Sequence, residues 1–331
     1  MKKALLFTLF LFGIVSFSLM AGTFRVNNTL TENAAAKIYA DLQSAHDAAY
    51  NGDTLMIEGS VTSYNGFTST KRLCIKGPGF FLDENPGVSA NKVPAVVSYV
   101  SFNEGSSGSI IMGIVFNSSV TVYDNNITFR RCWLQYSLSV FSAENFVITE
   151  CFFPEAVWAS FTANAVTNLI VSNNIISCGI TIAEGSTGVF LNNVLNTDII
   201  SIPTGFDMKN NILFKAGTEN VSLPAQPDPD VSYNISIGSH FGTLNHNKAN
   251  ASEESMFQGA LSSSTDGKWQ LKAGSPALGA GESGIDCGAF GGPQPYILSG
   301  LPVGPVIYEL NVSSYSTTDN KLPVTIKVKS Y

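Results

Sequence analysis

Charge is scarce in this chain. Asp, Glu, Lys and Arg make up only 13% of the 331 residues, 25 acidic against 18 basic, for a net charge of −7. No basic cluster occurs, so the polycationic surface that nucleic acid requires is missing. Histidine is rarer still. His46 lies in a helical stretch, and His240 with His246 lies in the Gly/Asn segment GSHFGTLNHN; a metal site normally needs three or four preorganised ligands. Five cysteines, an odd number, do not form a small-domain disulfide framework. Only one segment has helical patterning. Asp41 is its N-cap, Leu42, Ala45, Ala48 and Ala49 share a face, and Gly52 supplies the stop. The segment GDTLMIEG then predicts the first strand.

The amino terminus holds a mostly apolar run. Lys2 and Lys3 precede Ala4 to Val15, and small residues follow around Ser16, Ser18 and Ala21. This order predicts a secretory signal peptide over residues 1–21, too short in its apolar part for a spanning helix of about 20 residues. No membrane span is expected after its removal. The first cysteine is Cys74, so no lipid anchor is expected at a new amino-terminal cysteine.

What is abundant is a repeat. NITFRRCWL from Asn126, NFVITECFF from Asn145, NLIVSNNII from Asn168, TGVFLNNVL from Thr187 and GFDMKNNIL from Gly205 start 19, 23, 19 and 18 residues apart. Weaker copies begin at Gly108 and Asp228. A period near twenty means a solenoid whose units bury their apolar faces on one another. Enrichment in Val, Ile, Phe, Thr and Asn favours a parallel β-helix over leucine-rich repeats. The second and fourth positions are large and apolar (Ile127 and Phe129, Phe146 and Ile148, Leu169 and Val171), a spacing of two that turns both inward.

The seventh position holds Cys132, Cys151, Asn174, Asn193 and Asn211. A bend at the sixth residue would turn it inward too, and asparagine suits such a place. It tolerates left-handed backbone, and its amide can bond the amide one coil away, ~4.8 Å along the stack. The expected ladder has free thiols at its two cysteine rungs, where adjacent placement also permits a disulfide.

The helix before NGDTLMIEG, the coils ending in NN plus apolar residues, and the closing LKAGSPALGAGESGIDCGAFGG at 271–292 resemble secreted bacterial right-handed parallel β-helix proteins of the pectate-lyase-like superfamily. The resemblance covers roughly residues 38 to 292. It implies an all-β solenoid of about ten coils, roughly 50 Å long at ~4.8 Å per coil, with an N-terminal helical cap. It leaves the activity open, because the superfamily includes polysaccharide lyases, hydrolases, epimerases and proteins without known catalysis. The β-helix domain is expected over 22–292. From 293 a Pro/Gly-rich linker leads to two alternating stretches, 306–312 and 322–328, that read as a hairpin-like tail capping the helix or serving as a sorting signal.

Three places could carry function. On the wide sheet the outward third and fifth positions are apolar in the centre (Val147, Ile170, Val189, Leu191), which predicts cover by the protein's own loops or tail. The eighth position is also apolar: Trp133, Phe152, Ile175, Val194 and Ile212. Either an insertion at 154–167 or 214–227 covers this row, or Trp133 and Phe152 stack on sugar rings. The charged candidates are Arg130, Arg131 and Glu150 on adjacent coils, with Asp207 and Lys209 several coils on. Arg131 with Glu150 reads as a salt bridge or as a base poised by a carboxylate; the family's lyases pair such a base with calcium held by carboxylates. The DPD at 228–230 is a turn or a weak calcium loop, and GAGESG at 279–284 lacks the lysine of a phosphate loop. The residues point to an exported, noncatalytic carbohydrate-binding or adhesion protein without a cofactor. A calcium-assisted polysaccharide lyase is the alternative that the resemblance implies.

Overall fold

The computed structural model describes residues 21–215, 217, 220–224, 228–262, 264–312 and 321–330. The expected signal peptide thus lies outside the described residues, apart from Ala21. The chain winds into a parallel β-solenoid of about nine turns, where the repeat predicts about ten. Each coil contributes a strand to sheet 1 (eleven strands), a two-residue strand to sheet 2 (eight) and a strand to sheet 3 (eight). In one coil these are Thr128–Arg130, Trp133–Leu134 and Leu138–Phe141. Successive coils pair in register, Thr128 with Val147 and Val147 with Ile170, so like positions stack.

Alternation directs Ile127, Phe129, Cys132, Leu134, Leu138 and Val140 into the tube, where all are buried. The sixth position makes the bend. Arg131, Glu150, Asn173, Asn192, Asn210 and Tyr233 all have φ between 55° and 59°, the left-handed region that asparagine tolerates best. The doubled asparagine therefore divides two tasks. Its first residue makes the corner and its second fills it.

The solenoid begins earlier than GDTLMIEG predicts. Thr23–Val26 lies between Ile38–Tyr39 and Thr54–Ile57 in sheet 1, in a segment without the nonapeptide pattern. The helix, Leu42–Ala48, is N-capped by Asp41, which accepts from the Ser44 N–H. It buries Leu42 and Ala45 in the tube core beside Phe24 and Leu55. Gly52 does not stop it. Ala49 is already extended, and the Lys71 ammonium donates to the carbonyls of His46, Asp47 and Ala49 at 2.8 Å each, satisfying orphan acceptors at the helix end.

A second apolar core lies outside the tube. The eighth-position row packs under Phe80, Phe81, Met256, Phe257, Trp269, Ala277, Ala289 and Tyr296. Neither expected insertion supplies most of this cover; the inter-coil segment 77–95 and a strap from about residue 250 to Leu301 do. Sixth-position side chains fasten the strap. Asn173 Nδ2 donates to the carbonyls of Ala289 and Gly291, Asn192 Nδ2 to that of Asp286, and Asn210 Oδ1 accepts from the Glu282 N–H. Asp266 joins it to segment 77–95, accepting from Asn85 Nδ2 at 2.9 Å and Ser299 N–H at 2.7 Å.

The strap crosses Gly292, the expected domain junction, and ends before an antiparallel hairpin of Pro305–Val312 and Val324–Ser330. The tail meets the solenoid at its side. Ile307, Leu310, Val312, Val324, Ile326 and Val328 are each about half exposed, and the Ala90 N–H donating to the Ile307 carbonyl ties the tail to segment 77–95.

Two outcomes follow. Deleting residues 303–331 should leave the unfolding free energy of the solenoid, read from urea titration, unchanged within about 0.5 kcal/mol. Burial pushes the Asp266 carboxyl up against the opposing pull of its donors, so its contribution is full below the ordinary carboxylate range and is lost as pH rises through the raised value. The stability of wild type minus that of Asp266→Asn should therefore fall between acidic and neutral pH in urea titrations.

Candidate functional site

The charged trio of sheet 1 closes on itself. Arg130 Nε donates to Glu150 Oε1 at 2.6 Å and Arg131 Nε to Oε2 at 2.5 Å, while Arg131 Nη1 donates to the Leu301 carbonyl at 2.8 Å. Glu150 is fully buried and Arg131 nearly so. The carboxylate is saturated by two guanidinium groups and secures the end of the strap, which answers to the salt-bridge reading; a base must reach the proton it takes.

The ladder positions form one continuous line. Asn174 Nδ2 donates to Asn193 Oδ1 and Asn193 Nδ2 to Asn211 Oδ1, each at 3.0 Å, and the line runs on through Asn234 to Asn247. Each Nδ2 also donates to an interior carbonyl, such as that of Ile148 or Val171. At the other end the Cys151 N–H donates to Asn174 Oδ1 and the Cys132 N–H to Cys151 Sγ. All five cysteines are free, and burial pushes the Cys151 thiol up.

Of the two alternatives for Trp133 and Phe152, the geometry answers to cover: Trp133 is half-buried and Phe152 buried. Phe152 is 4% exposed, and Phe81 lies 4.4 Å from Trp133 and 5.2 Å from Phe152 between ring centroids. The pair belongs to the second core. The central face of sheet 1 is not covered as expected either. Val147, Ile170, Val189 and Leu191 are half-buried and belong to neither core, and their neighbour Ile110 is 41% exposed.

The remaining candidates separate. His46 is buried and accepts from the Thr70 N–H, His246 stacks on Tyr233, and burial pushes the lone His240 down. Asp228 accepts from the Asp230 N–H in a turn. The fold does bring Asp207 close to that turn, and its carboxyl is pushed up by burial and then by Asp230. Among the described residues no group of three or more His, Cys, Asp or Glu could hold a metal ion. GAGESG lies in the strap, where the Gly281 N–H donates to the Ile285 carbonyl. A cleft of about 800 Å³ opens beside Phe214, Phe257 and Trp269. Its charges compensate internally, Lys215 meeting Glu155 at 3.8 Å.

The outer face of sheet 3 carries a second set of stacked rows. Thr68, Ser101, Thr121, Ser139, Thr162, Thr181, Ser201 and Ser222 stand in register on eight successive strands; of these Ser101 is buried and donates to Asn103 Oδ1. Hydroxyls bond along this face: Thr162 Oγ1 to Ser139 Oγ at 3.1 Å, and Ser160 Oγ to Ser137 Oγ at 3.2 Å. Aromatic rings stand on both sides of the row. Where strands enter the sheet, Tyr136 stacks on Trp158 (centroids 5.8 Å, 28°) and Tyr99 receives a hydrogen bond from Thr121; where they leave, Tyr123 stacks on Phe141 (5.3 Å, 15°). These rings are open to solvent, Trp158 at 58%, Tyr123 at 54% and Tyr99 at 46%.

Sequence reasoning missed this face because it aligned only the nonapeptide. The signal lies downstream in each coil, in SVTVY at 119–123, SLSVF at 137–141 and SFTAN at 160–164, where hydroxyl residues alternate with buried apolar ones. Comparison with protein-family models, curated proteins and solved structures finds no match to this chain. For the trio, replacing Glu150 with Ala should cost about 3–5 kcal/mol in urea unfolding, because two guanidinium groups lose their counter-charge.

Proposed function

We propose that the chain is an exported carbohydrate-binding β-helix protein that acts without catalysis and uses the outer face of sheet 3. The observation that carries this reading is the double rim of solvent-facing, mutually stacked rings around a row of hydroxyls. Sugars present apolar C–H faces, which suit aromatic rings, and hydroxyls, which suit a polar floor. Each stacked pair is held in place by its neighbour, so little side-chain freedom is lost on binding. Four rings on adjacent coils also exceed what isolated surface aromatics require.

Export is supported by the order of residues 1–21: lysines, an apolar run, then small residues. Among the described residues no helix is long and apolar enough to cross a membrane. The resemblance to secreted bacterial proteins of the pectate-lyase-like superfamily fits a polysaccharide partner. Against lyase chemistry of the kind that resemblance implies, Arg130, Arg131 and Glu150 are consumed by one another and by the strap.

Affinity electrophoresis in gels containing polysaccharide tests the reading. Trp158→Ala and Tyr123→Ala should each weaken retention about tenfold, or ~1.4 kcal/mol, with unchanged thermal midpoints. Trp133→Ala should instead lower stability by about 3 kcal/mol and leave the retention of folded protein intact. Retention that survives loss of both Trp158 and Tyr123 would sink the proposal.

A further inference from the structure

Resting on the reading of sheet 3 as a carbohydrate site, we infer that its ligand is an uncharged glycan chain lying along the solenoid axis, with about four sugar rings in contact. Direction comes from the two rims. Tyr99, Tyr136 and Trp158 stand at strand entries and Tyr123 and Phe141 at strand exits, over four successive coils. The hydroxyl row runs between them, parallel to the axis. On the coil that carries both, Tyr136 and Phe141 lie five residues apart, ~17 Å at 3.3 Å per residue. A trough of that width admits one chain and bounds it on both sides.

Length follows from the coil spacing. Adjacent strands are ~4.8 Å apart, close to the advance of one sugar along an extended chain. Each coil therefore meets one ring, and the aromatic part of the trough covers four coils. Beyond them, among the described residues, no aromatic ring stands on the row, which continues through Thr181, Ser201 and Ser222 beside the exposed Ile199.

Charge selects among glycans. Glu104, Asp124, Glu144, Glu184 and Asp198 each fall within three residues of a sheet 3 strand, and all but the half-buried Asp124 are exposed. From residue 97 to residue 204 no Lys or Arg falls within three residues of any sheet 3 strand. Beyond the first strand, Lys71 is bound to helix carbonyls, and the exposed Arg72 stands one coil before the aromatic part begins. Carboxylates along the edge of a groove repel a polyanion at low salt and leave a neutral chain unaffected. The aromatic coils thus have no counter-charge for uronate polymers, and their apolar rings and neutral hydroxyls match an uncharged backbone.

The test uses the mature full chain, with titration calorimetry against a graded series of uncharged β-glucan oligosaccharides and against polygalacturonate at low salt. Glucan affinity should rise with length to about four sugars and then level, the span of four coils at ~4.8 Å. Polygalacturonate should bind at least tenfold more weakly than glucan of equal length. In a Glu104→Gln, Glu144→Gln, Glu184→Gln variant that gap should narrow while glucan affinity holds. Polygalacturonate binding wild type as well as glucan does, or affinity already level at a disaccharide, would overturn the inference. If Trp158→Ala still abolished that binding, the site reading would stand without it. Loss of all glycan binding, with Trp158→Ala silent, would remove both.

Discussion

A buried line of stacked amides at one corner of the tube holds the rest of this molecule in register. Each interior asparagine donates to a carbonyl and to the next amide oxygen, and that oxygen also accepts a backbone N–H from the coil before it. Polar groups forced inside by the bend are thereby paired, where each unpaired one would cost about 1–3 kcal/mol. The pairing closes only if every coil is in register with its neighbours. A slip would break amide bonds and move inward side chains to the outside together.

The bend that admits the ladder also creates the attachment line for the strap. With sixth residues in left-handed backbone, their side chains leave the corner outward while the seventh turn in. Asn173, Asn192 and Asn210 meet strap groups there, and Arg131 meets the last of them at Leu301. The strap in turn shields the eighth-position row, so two apolar cores share the short strands of sheet 2 as a common wall. Glu150 between two arginines belongs to this fastening. Its burial is compatible with stability because both oxygens are paired.

The strap covers sheet 2 and leaves the outer faces of sheets 1 and 3 without a second core, and sheet 3 is the one that carries the aromatic rings. Parallel register turns residues scattered every twenty or so positions into straight rows, and the same regularity that stacks phenylalanines inside stacks hydroxyls and aromatic rings outside. The resulting surface is a row of hydroxyls rimmed by rings and held by its neighbours along the axis. Such a surface suits an extended polymer better than a small molecule, since it offers repeated contacts and no enclosure.

The repeat, the inward positions and the asparagine at the corner were readable from the chain alone, because period, alternation and the backbone tolerance of asparagine are local properties. The N-cap at Asp41 was readable for the same reason. What covers each face was not. Whether Trp133 and Phe152 are covered, and by what, depends on residues 80–81 and the strap, far away in sequence, which pack on them. Helix termination by Lys71 and the approach of Asp207 to Asp230 likewise join residues remote along the chain. The hydroxyl row was present in the sequence but unremarkable in any single coil. Sequence by itself determined the coil and its register, since those depend on neighbours within one repeat; tertiary structure decided which outward rows meet water, since burial depends on segments that no local pattern specifies.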